Sequence, residues 1–569
     1  MLSVSPSAVR AQVAPEHLPL QRLYFWEATA PEHVHMTQPF GGGQLRHYTW
    51  RETADEARRV ATFLTQQNWP PGSRVAILGK NSAAWLIADL AVWMAGHVSV
   101  PIYPLLAAQN VAQIIEHSGT VGCLIGKLDD ATILAGVPDS VFTMALPLAS
   151  EVVLQRCSSR WNDVIQRCTP LPGHPVRVGS ELATLMYTSG TTGQSKGVMH
   201  SFDTLTVGSV NMLADFAMST DDRLISYLPL AHIVERSYIE MGSLHAGAHI
   251  YFTESPASFM DDLRRARPTL FGSVPRLWLK FQQGVLAQMP AHRLARLLKI
   301  PLVGAFVRRR IVRGLGLDAL RSMALTGAAP TPASLMHWFS TIGLPIGEAY
   351  GMTELGVSHS TAPGDVKIGA VGVPVRGVQH RIDPDSKEVQ ILSPGATLGY
   401  YQEPGMTADL FTADGWLRTG DQGAIDAQNR LSIVGRIKDN FKSSKGKYIA
   451  PGPIEGKLAQ HLMAEACVVL GTHLAQPLGI VLLNDATLAT LPTAKASIEG
   501  AFERHLADVN ASLDPHERLA HIVLATTPWT SQNGMLTPTL KVRRAVLESL
   551  FAQRAESWAE DRSQIVWVE

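Results

Sequence analysis

The chain is poor in the features that would make a crosslinked, membrane-spanning or strongly charged protein. Its four cysteines, Cys123, Cys157, Cys168 and Cys467, are scattered, with no C-x-x-C pair and no ligand spacing. That excludes a disulfide scaffold and a cysteine metal site as organising devices, and leaves buried free thiols in a reducing compartment as the expectation. Basic and acidic side chains number 49 each, so the formal net charge is zero and nothing in the balance points to nucleic acid. The most hydrophobic stretch, 86–108, is broken by Asp89, His97, Pro101 and Pro104, short of the roughly 20 uninterrupted apolar residues of a membrane span. The opening MLSVSPSAVRAQVAPEH lacks the apolar core of a signal peptide. Repeats and low-complexity tracts are absent as well. A cytoplasmic protein is expected, with peripheral contact at the inner face of a membrane left open.

What is present is a globular composition, 46% hydrophobic and 17% charged, in 569 residues. That length exceeds one core and implies roughly two to four domains or subdomains. Thr49 and Glu52 have capping-box spacing ahead of a helical stripe of Ala54, Ala57, Val60, Ala61 and Leu64. Strand-like runs at 74–78, 98–102 and 121–125 alternate with helical runs at 82–94 and 111–117, which means βαβ units and a parallel sheet. The pattern resumes with strands at 224–228, 249–252, 269–274 and 322–326, implying a second, stacked α/β subdomain. Short runs at 379–382 and 388–392, followed by hairpins over 415–436, indicate a small β subdomain. The polar, lysine-rich stretch 437–447 is the candidate boundary, giving expected domains of 1–436 and 437–569. Beyond it, helices at 453–462, 494–510 and 542–553 and strands at 466–470 and 479–483 indicate a smaller α+β domain.

The chemistry concentrates in a few short stretches. Residues 185–200 read LMYTSGTTGQSKGVMH, an apolar strand running into Thr188, Ser189, Gly190, Thr191, Thr192, Gly193 and Lys196. Glycines let backbone N–H groups approach an anion, hydroxyls add donors and the lysine adds a point charge, so the loop suits phosphate. It is not a G-x-x-x-x-G-K-[ST] loop. EAYGMTE at 348–354 sets Tyr350, Gly351, Thr353 and Glu354 side by side: an aromatic face for a base, a hydroxyl for a phosphate and a carboxylate for magnesium. WLRTGD ends a strand at Asp421, an acid able to take ribose hydroxyls. LTGAAP places the small residues Gly327, Ala328 and Ala329 after a strand, where a flat ring could lie on the backbone or where there is only a turn. His232 follows Pro229 in SYLPLAHIVER, and Lys541 stands alone in GMLTPTLK; by themselves both read as readily as structural or solvating residues.

These stretches, in this order, closely resemble the signatures of the adenylate-forming enzymes, which include acyl-CoA synthetases, firefly luciferase and the adenylation domains of peptide synthetases. Within that superfamily, FKSSKGKYIAPGPIE and NGMLTPTLKVRR look like the long-chain fatty acyl-CoA synthetase branch. The resemblance implies a large domain of two stacked α/β subdomains plus a small β subdomain, then a mobile α+β domain. It implies ATP, magnesium and coenzyme A as cosubstrates. Lys196 and the hydroxyl loop would hold β- and γ-phosphates, Thr188 and Glu354 the metal, and Gly327 to Ala329 with Tyr350 and Gly351 the adenine. Asp421 would hold the ribose, Arg436 ribose or phosphate, and Thr353 a phosphate. His232 would sit near the carboxylate, Lys438 would be the pivot, and Lys541 would reach in during adenylation. The loop 442–447 would enter only for thioester formation.

The implied reaction joins a carboxylic acid, expected to be a medium- to long-chain fatty acid, to ATP and then to coenzyme A. The alternatives are another acid or acceptor, such as an aryl acid or a carrier-protein thiol, luciferase-like oxidation of an adenylate, or a silent binding homologue. Two departures stand out: His200-Ser201-Phe202 replaces the usual Thr-His after the loop, and no gating tryptophan lies around Arg236. Residues 291–318 carry arginine or lysine at 293, 296, 299, 308, 309, 310 and 313, with no acid before Asp318 and Pro301 dividing two helices. This is either a solvated basic face or a surface for anions, the phosphates of coenzyme A or membrane headgroups.

Overall fold

The computed structural model describes residues 12–189, 195–530, 532–537, 541–559 and 563–568. The loop residues Gly190, Thr191, Thr192 and Gly193 lie outside the described residues. The first long helix starts where its cap dictates. Glu52 N donates to Thr49 Oγ1 at 3.2 Å and Thr49 N donates to Glu52 Oε2 at 2.8 Å, opening the helix Trp50–Thr65. Its apolar stripe is fully buried. Ser82 caps the helix Ala83–Met94, which is apolar all round except for Asp89 and is buried along its whole length.

These helices cover an eight-stranded sheet. Its order is Gly399–Tyr400, Ser195–Ser201, Leu182–Ser189, Val98–Ile102, Arg74–Leu78, Thr120–Ile125, Phe142–Ala145 and Ser159–Arg160. From Leu182–Ser189 onward the neighbours run parallel, as a βαβ alternation requires. Gly399–Tyr400 pairs antiparallel with Ser195–Ser201, which in turn pairs antiparallel with Leu182–Ser189.

The second α/β layer holds two sheets. Arg223–Ser226, His249–Phe252 and Val34–Gly41 pair in parallel, and Gln44–Thr49 closes that sheet antiparallel. Gly272–Ser273, Ala324–Thr326, Ile346–Met352, Gly356–Ser360 and Val373–Pro374 form the other. The run 269–274 contributes only two ladder residues. The β subdomain is a four-stranded antiparallel sheet of Gln379–Ile382, Glu388–Leu392, Leu417–Ile425 and Leu431–Arg436.

After a turn at Ile437–Asp439 comes a four-stranded sheet of Ala464–Leu470, Leu478–Leu483, Ile522–Ala525 and Ile565–Val568. Alternation divides it between two cores. Val469 and Val481 pack against the helices Pro451–Leu458 and Asp485–Ala511, while Val468 and Ile480 pack against Arg544–Ala559. The helix expected at 453–462 stops at Leu458, and the one expected at 494–510 begins at Asp485. Asn484 caps it, and it runs through Pro492, which lies in its interior. The architecture is mixed α/β with a large N-terminal domain and a separate C-terminal one. The cysteines are free; Cys123 is buried and the other three are only partly so.

Candidate active site

A cavity of about 2790 Å³ lies where the two domains meet. Its lining includes Thr188, Lys196, His232, Gly327, Ala328, Ala329, Tyr350, Gly351, Thr353, Glu354, Asp421, Arg436, Lys438 and Lys541, so residues far apart in the chain face one space. Ser189 ends the strand Leu182–Ser189.

The hairpin supplies the first corner. Thr188 is paired directly with Lys196 across the ladder, which puts their side chains on one face. The Lys196 ammonium lies 5.3 Å from the ring centroid of Tyr400, a residue on the neighbouring edge strand. Desolvation and the charge of Lys438 lower its pKa, opposed by Glu354 and Glu403. Tyr400 donates its hydroxyl to Glu354 Oε1 at 2.7 Å. Lys196, Tyr400 and Glu354 thus form one chain of contacts.

The main chain that carries this carboxylate is held in turn. Thr397 N donates to Glu354 O at 2.8 Å, and His200 Nε2 donates to Thr353 O at 2.7 Å. A carbonyl only accepts, so His200 carries its proton on Nε2. Burial pushes the pKa of this ring down to about 4 and keeps it neutral. The ring of His200 therefore anchors the Thr353–Glu354 turn from the strand Ser195–Ser201. Gly351 makes that turn possible, because a Cβ there would stand 2.2 Å from Gly356 O.

The second corner is built on the β subdomain. Asp421 and Arg436 are ladder partners, and Arg436 Nε is ion-paired with Asp421 Oδ1 at 3.1 Å. Tyr350 donates its hydroxyl to Asp421 Oδ2 at 2.5 Å. Both carboxylate oxygens of Asp421, a residue only 6% exposed, thus point at groups lining the cavity. Gly327 packs its Cα against Ala349 O, where a Cβ would come within 3.0 Å. Ala328 follows at φ +70, so the turn after Ala324–Thr326 lies tight and flat beside the strand of Tyr350.

The third corner brings the C-terminal domain in. Lys541 lines the cavity, and the charges that act on it are Arg436, Asp421 and Glu354. Desolvation in the cleft and Arg436 lower its pKa, against the two carboxylates. His232 caps the helix Ile233–Glu235, with Nδ1 accepting from Val234 N at 3.2 Å. Desolvation and the charge of Lys541 hold its pKa down at about 4, so the ring is neutral. Lys438, in the turn Ile437–Asp439, lines the cleft, whereas 442–447 are outside its lining. Residues 444–447 form the exposed end of the hairpin between Phe441–Lys442 and Tyr448–Ile449, while Ser443 is buried.

An oxygen-ligated cation fits this corner. Glu354 offers a carboxylate and Thr188 a hydroxyl, both hard donors, beside the lysine that would meet phosphate. Among the described residues no group of three histidine, cysteine or acidic side chains is arranged to hold a metal ion by itself. A cation here would draw its remaining ligands from phosphate and water, the habit of magnesium.

Beyond His232 the cavity turns apolar. Tyr227 stacks on Phe271 at 5.8 Å and meets Phe259 edge-on at 5.2 Å. Phe281, Leu277 and Val285 continue the wall. Behind His232, Glu235 accepts from Ser226, Asn81 and Tyr227 N, and burial raises its pKa to about 8. Arg236 does not reach the cavity. It is fully buried between Asp89 and Glu240 and serves the core.

Residues 25–401 match the model of the AMP-binding enzyme family, and residues 438–562 match the AMP-binding enzyme C-terminal domain. The chain is 29% identical to the long-chain-fatty-acid–CoA ligase FadD15 of Mycobacterium bovis, over 93% of this chain and 95% of that one. It is 29% identical to the peroxisomal long chain acyl-CoA synthetase 6 of Arabidopsis thaliana, over 90% and 81%. The adenylation domain of a carboxylate reductase from Mycobacterium chelonae has the same fold, with a TM-score of 0.79 at 21% identity over 96% of this chain and 92% of that one. The chain belongs to the AMP-binding enzyme family, within the adenylate-forming superfamily, and its sequence relatives include long-chain acyl-CoA ligases.

Proposed function

We propose that the protein is an ATP-dependent fatty acid–coenzyme A ligase that works through an acyl-adenylate. The observation that carries this reading is the convergence of Lys541, Asp421, Arg436 and Glu354 on a cleft that continues into an aromatic, apolar cavity. The first group suits a nucleotide, the second an acyl chain. The relatives named for long-chain acids support the chain-length assignment.

In the first half-reaction a carboxylate oxygen bonds to the α-phosphorus of ATP, and the bond to the β-phosphate bridge breaks to release pyrophosphate. Charge grows on the α-phosphate, where Lys541 would stabilise it. Asp421 would exchange its contacts with Tyr350 and Arg436 for the ribose hydroxyls. Lys196 and Thr188 would hold the outer phosphates, and Gly327 to Ala329 with Tyr350 and Gly351 would flank the base. His232, neutral, would donate from Nε2 toward the acid's carboxylate. Magnesium, when bound at Glu354 and Thr188, neutralises phosphate charge. In the second half-reaction the sulfur of coenzyme A attacks the acyl carbon, the carbon–oxygen bond to AMP breaks, and the thiol proton leaves to solvent. The C-terminal domain would rotate about Lys438 between the two, bringing 442–447 inward.

The test is pyrophosphate release over a panel of acids, with and without coenzyme A. Release with long-chain acids, coupled to thioester only when coenzyme A is present, is expected. Preference for aryl acids, or adenylate formation with no thioester, would overturn the assignment.

A further inference from the structure

We infer that Glu388 is a positioning residue of the nucleotide site: its carboxylate fixes the bulge that turns Asp421 toward the cavity. The strands Glu388–Leu392 and Leu417–Ile425 run antiparallel, but their ladder is interrupted at this point. Glu388 pairs with Gln422 and Gln390 with Arg418, so Thr419, Gly420 and Asp421 together stand opposite Val389 alone. A bulge of this kind re-aims a side chain and takes backbone groups out of the ladder. Gly420, at φ +71, supplies the left-handed residue in it.

The displaced backbone groups are met by side chains. Gly420 N donates to Glu388 Oε1 at 2.9 Å. Asp421 N donates to Thr419 Oγ1 at 3.1 Å, and that hydroxyl donates to Val389 O at 2.7 Å. The other oxygen of Glu388 is ion-paired with Arg418 Nη1 at 3.5 Å. Glu388 is only 5% exposed, so a buried carboxylate is committed to one peptide N–H, next in the chain to Asp421.

Packing does not do this work. Among the described residues no neighbouring atom lies within 4 Å of where a Cβ on Gly420 would stand. The peptide is tethered by the hydrogen bond, and a charged acceptor makes that bond roughly twice as strong as a neutral one. Without it a glycine at positive φ is free to turn, and the carboxylate of Asp421 turns with it. The consequence for substrate rests on the ribose role proposed for Asp421. Glu388 and Arg418 line the cavity as well, so support of Asp421 has to be separated from direct contact with the nucleotide.

The experiment is calorimetric titration of the full chain with magnesium-ATP and with magnesium-2′-deoxy-ATP, in the absence of acid and coenzyme A. A carboxylate that accepts from a ribose hydroxyl should make the wild type prefer ATP by roughly 10- to 100-fold. Glu388→Ala should reduce that preference to about three-fold or less. Glu388→Met, which fills the space without an acceptor, should do the same. Glu388→Gln, which keeps an acceptor for Gly420 N, should restore it. A general loosening of the sheet weakens both nucleotides alike and leaves the ratio at its wild-type value, which would overturn the inference. In Asp421→Ala the preference should vanish, and Asp421→Ala/Glu388→Ala should bind ATP as tightly as Asp421→Ala alone, because a residue that acts through another adds nothing once that other is gone. Further weakening in the double variant would place Glu388 on the nucleotide itself and overturn its positioning role. An undiminished preference in Asp421→Ala would overturn the ribose reading and this inference with it. An undiminished preference in Glu388→Ala and Glu388→Met, beside a lost one in Asp421→Ala, would overturn this inference alone.

Discussion

Arg276, on the helix Pro275–Gln288 that walls the cavity, is ion-paired with Glu465 on the first strand of the C-terminal sheet. The pair ties the two domains together in the arrangement that keeps Lys541 inside the cleft. Glu465→Gln should loosen that arrangement. Both side chains are partly exposed, so the pair contributes at most about 1 kcal/mol, roughly five-fold in the balance of domain positions. Single-turnover adenylate formation should slow by up to about that factor, while thioester formation from supplied acyl-adenylate should hold or rise. Slowing of both steps together would show that the pair does not favour one domain position.

Tyr400→Phe removes the donor to Glu354 and leaves a buried carboxylate one hydrogen bond short. Groups that orient a metal-binding carboxylate typically set its affinity by about 10- to 100-fold. A magnesium titration of pyrophosphate formation at saturating ATP should shift to higher metal by at least about ten-fold. An unchanged titration would remove Glu354 from the metal site or Tyr400 from its support.

His200 gives a pH signature. Its folded pKa is about 4, below the ordinary value of 6.5, because burial disfavours the charged ring. Between those values the unfolded chain holds a proton that the folded one does not. The contribution of the neutral ring is therefore present above about pH 6.5 and is lost as pH falls toward about 4. In His200→Gln that titration is gone. The stability advantage of the wild type over the variant should shrink between about pH 7 and about pH 4.5. Denaturant unfolding across that range measures it, and a constant difference would contradict the assignment.

The parts of the site that were legible in sequence are those whose chemistry is contiguous. Tyr350 to Glu354 and the hairpin from Leu185 place their groups within a few residues, so local pattern carries them. Tyr400 escaped notice because its partner Glu354 is 46 residues away, and nothing in GYY marks a hydroxyl aimed at a carboxylate. Arg276 and Glu465, 189 residues apart, are invisible for the same reason. His200 was visible only as a departure, and its role needed the position of Thr353. The fold shows a similar division. Thr49 and Ser82 announce their helices by capping chemistry. Pro492 misleads, because a proline reads as a breaker, yet Asn484 starts that helix and packing of Ile498, Phe502 and Leu506 carries it through. The strands Ile522–Ala525 and Ile565–Val568 are four residues each, too short for alternation to mark them, and depend on their parallel neighbours.

The central claim is that Lys541, carried by the C-terminal domain, stabilises charge in the adenylation step and only there. Lys541→Ala, assayed separately for acyl-adenylate formation from ATP and a long-chain fatty acid and for thioester formation from supplied acyl-adenylate and coenzyme A, tests it most directly. Loss of one such donor costs about 10²–10³ in rate. The account predicts that loss in the first assay and near-normal rates in the second; equal damage to both, or to neither, would contradict it.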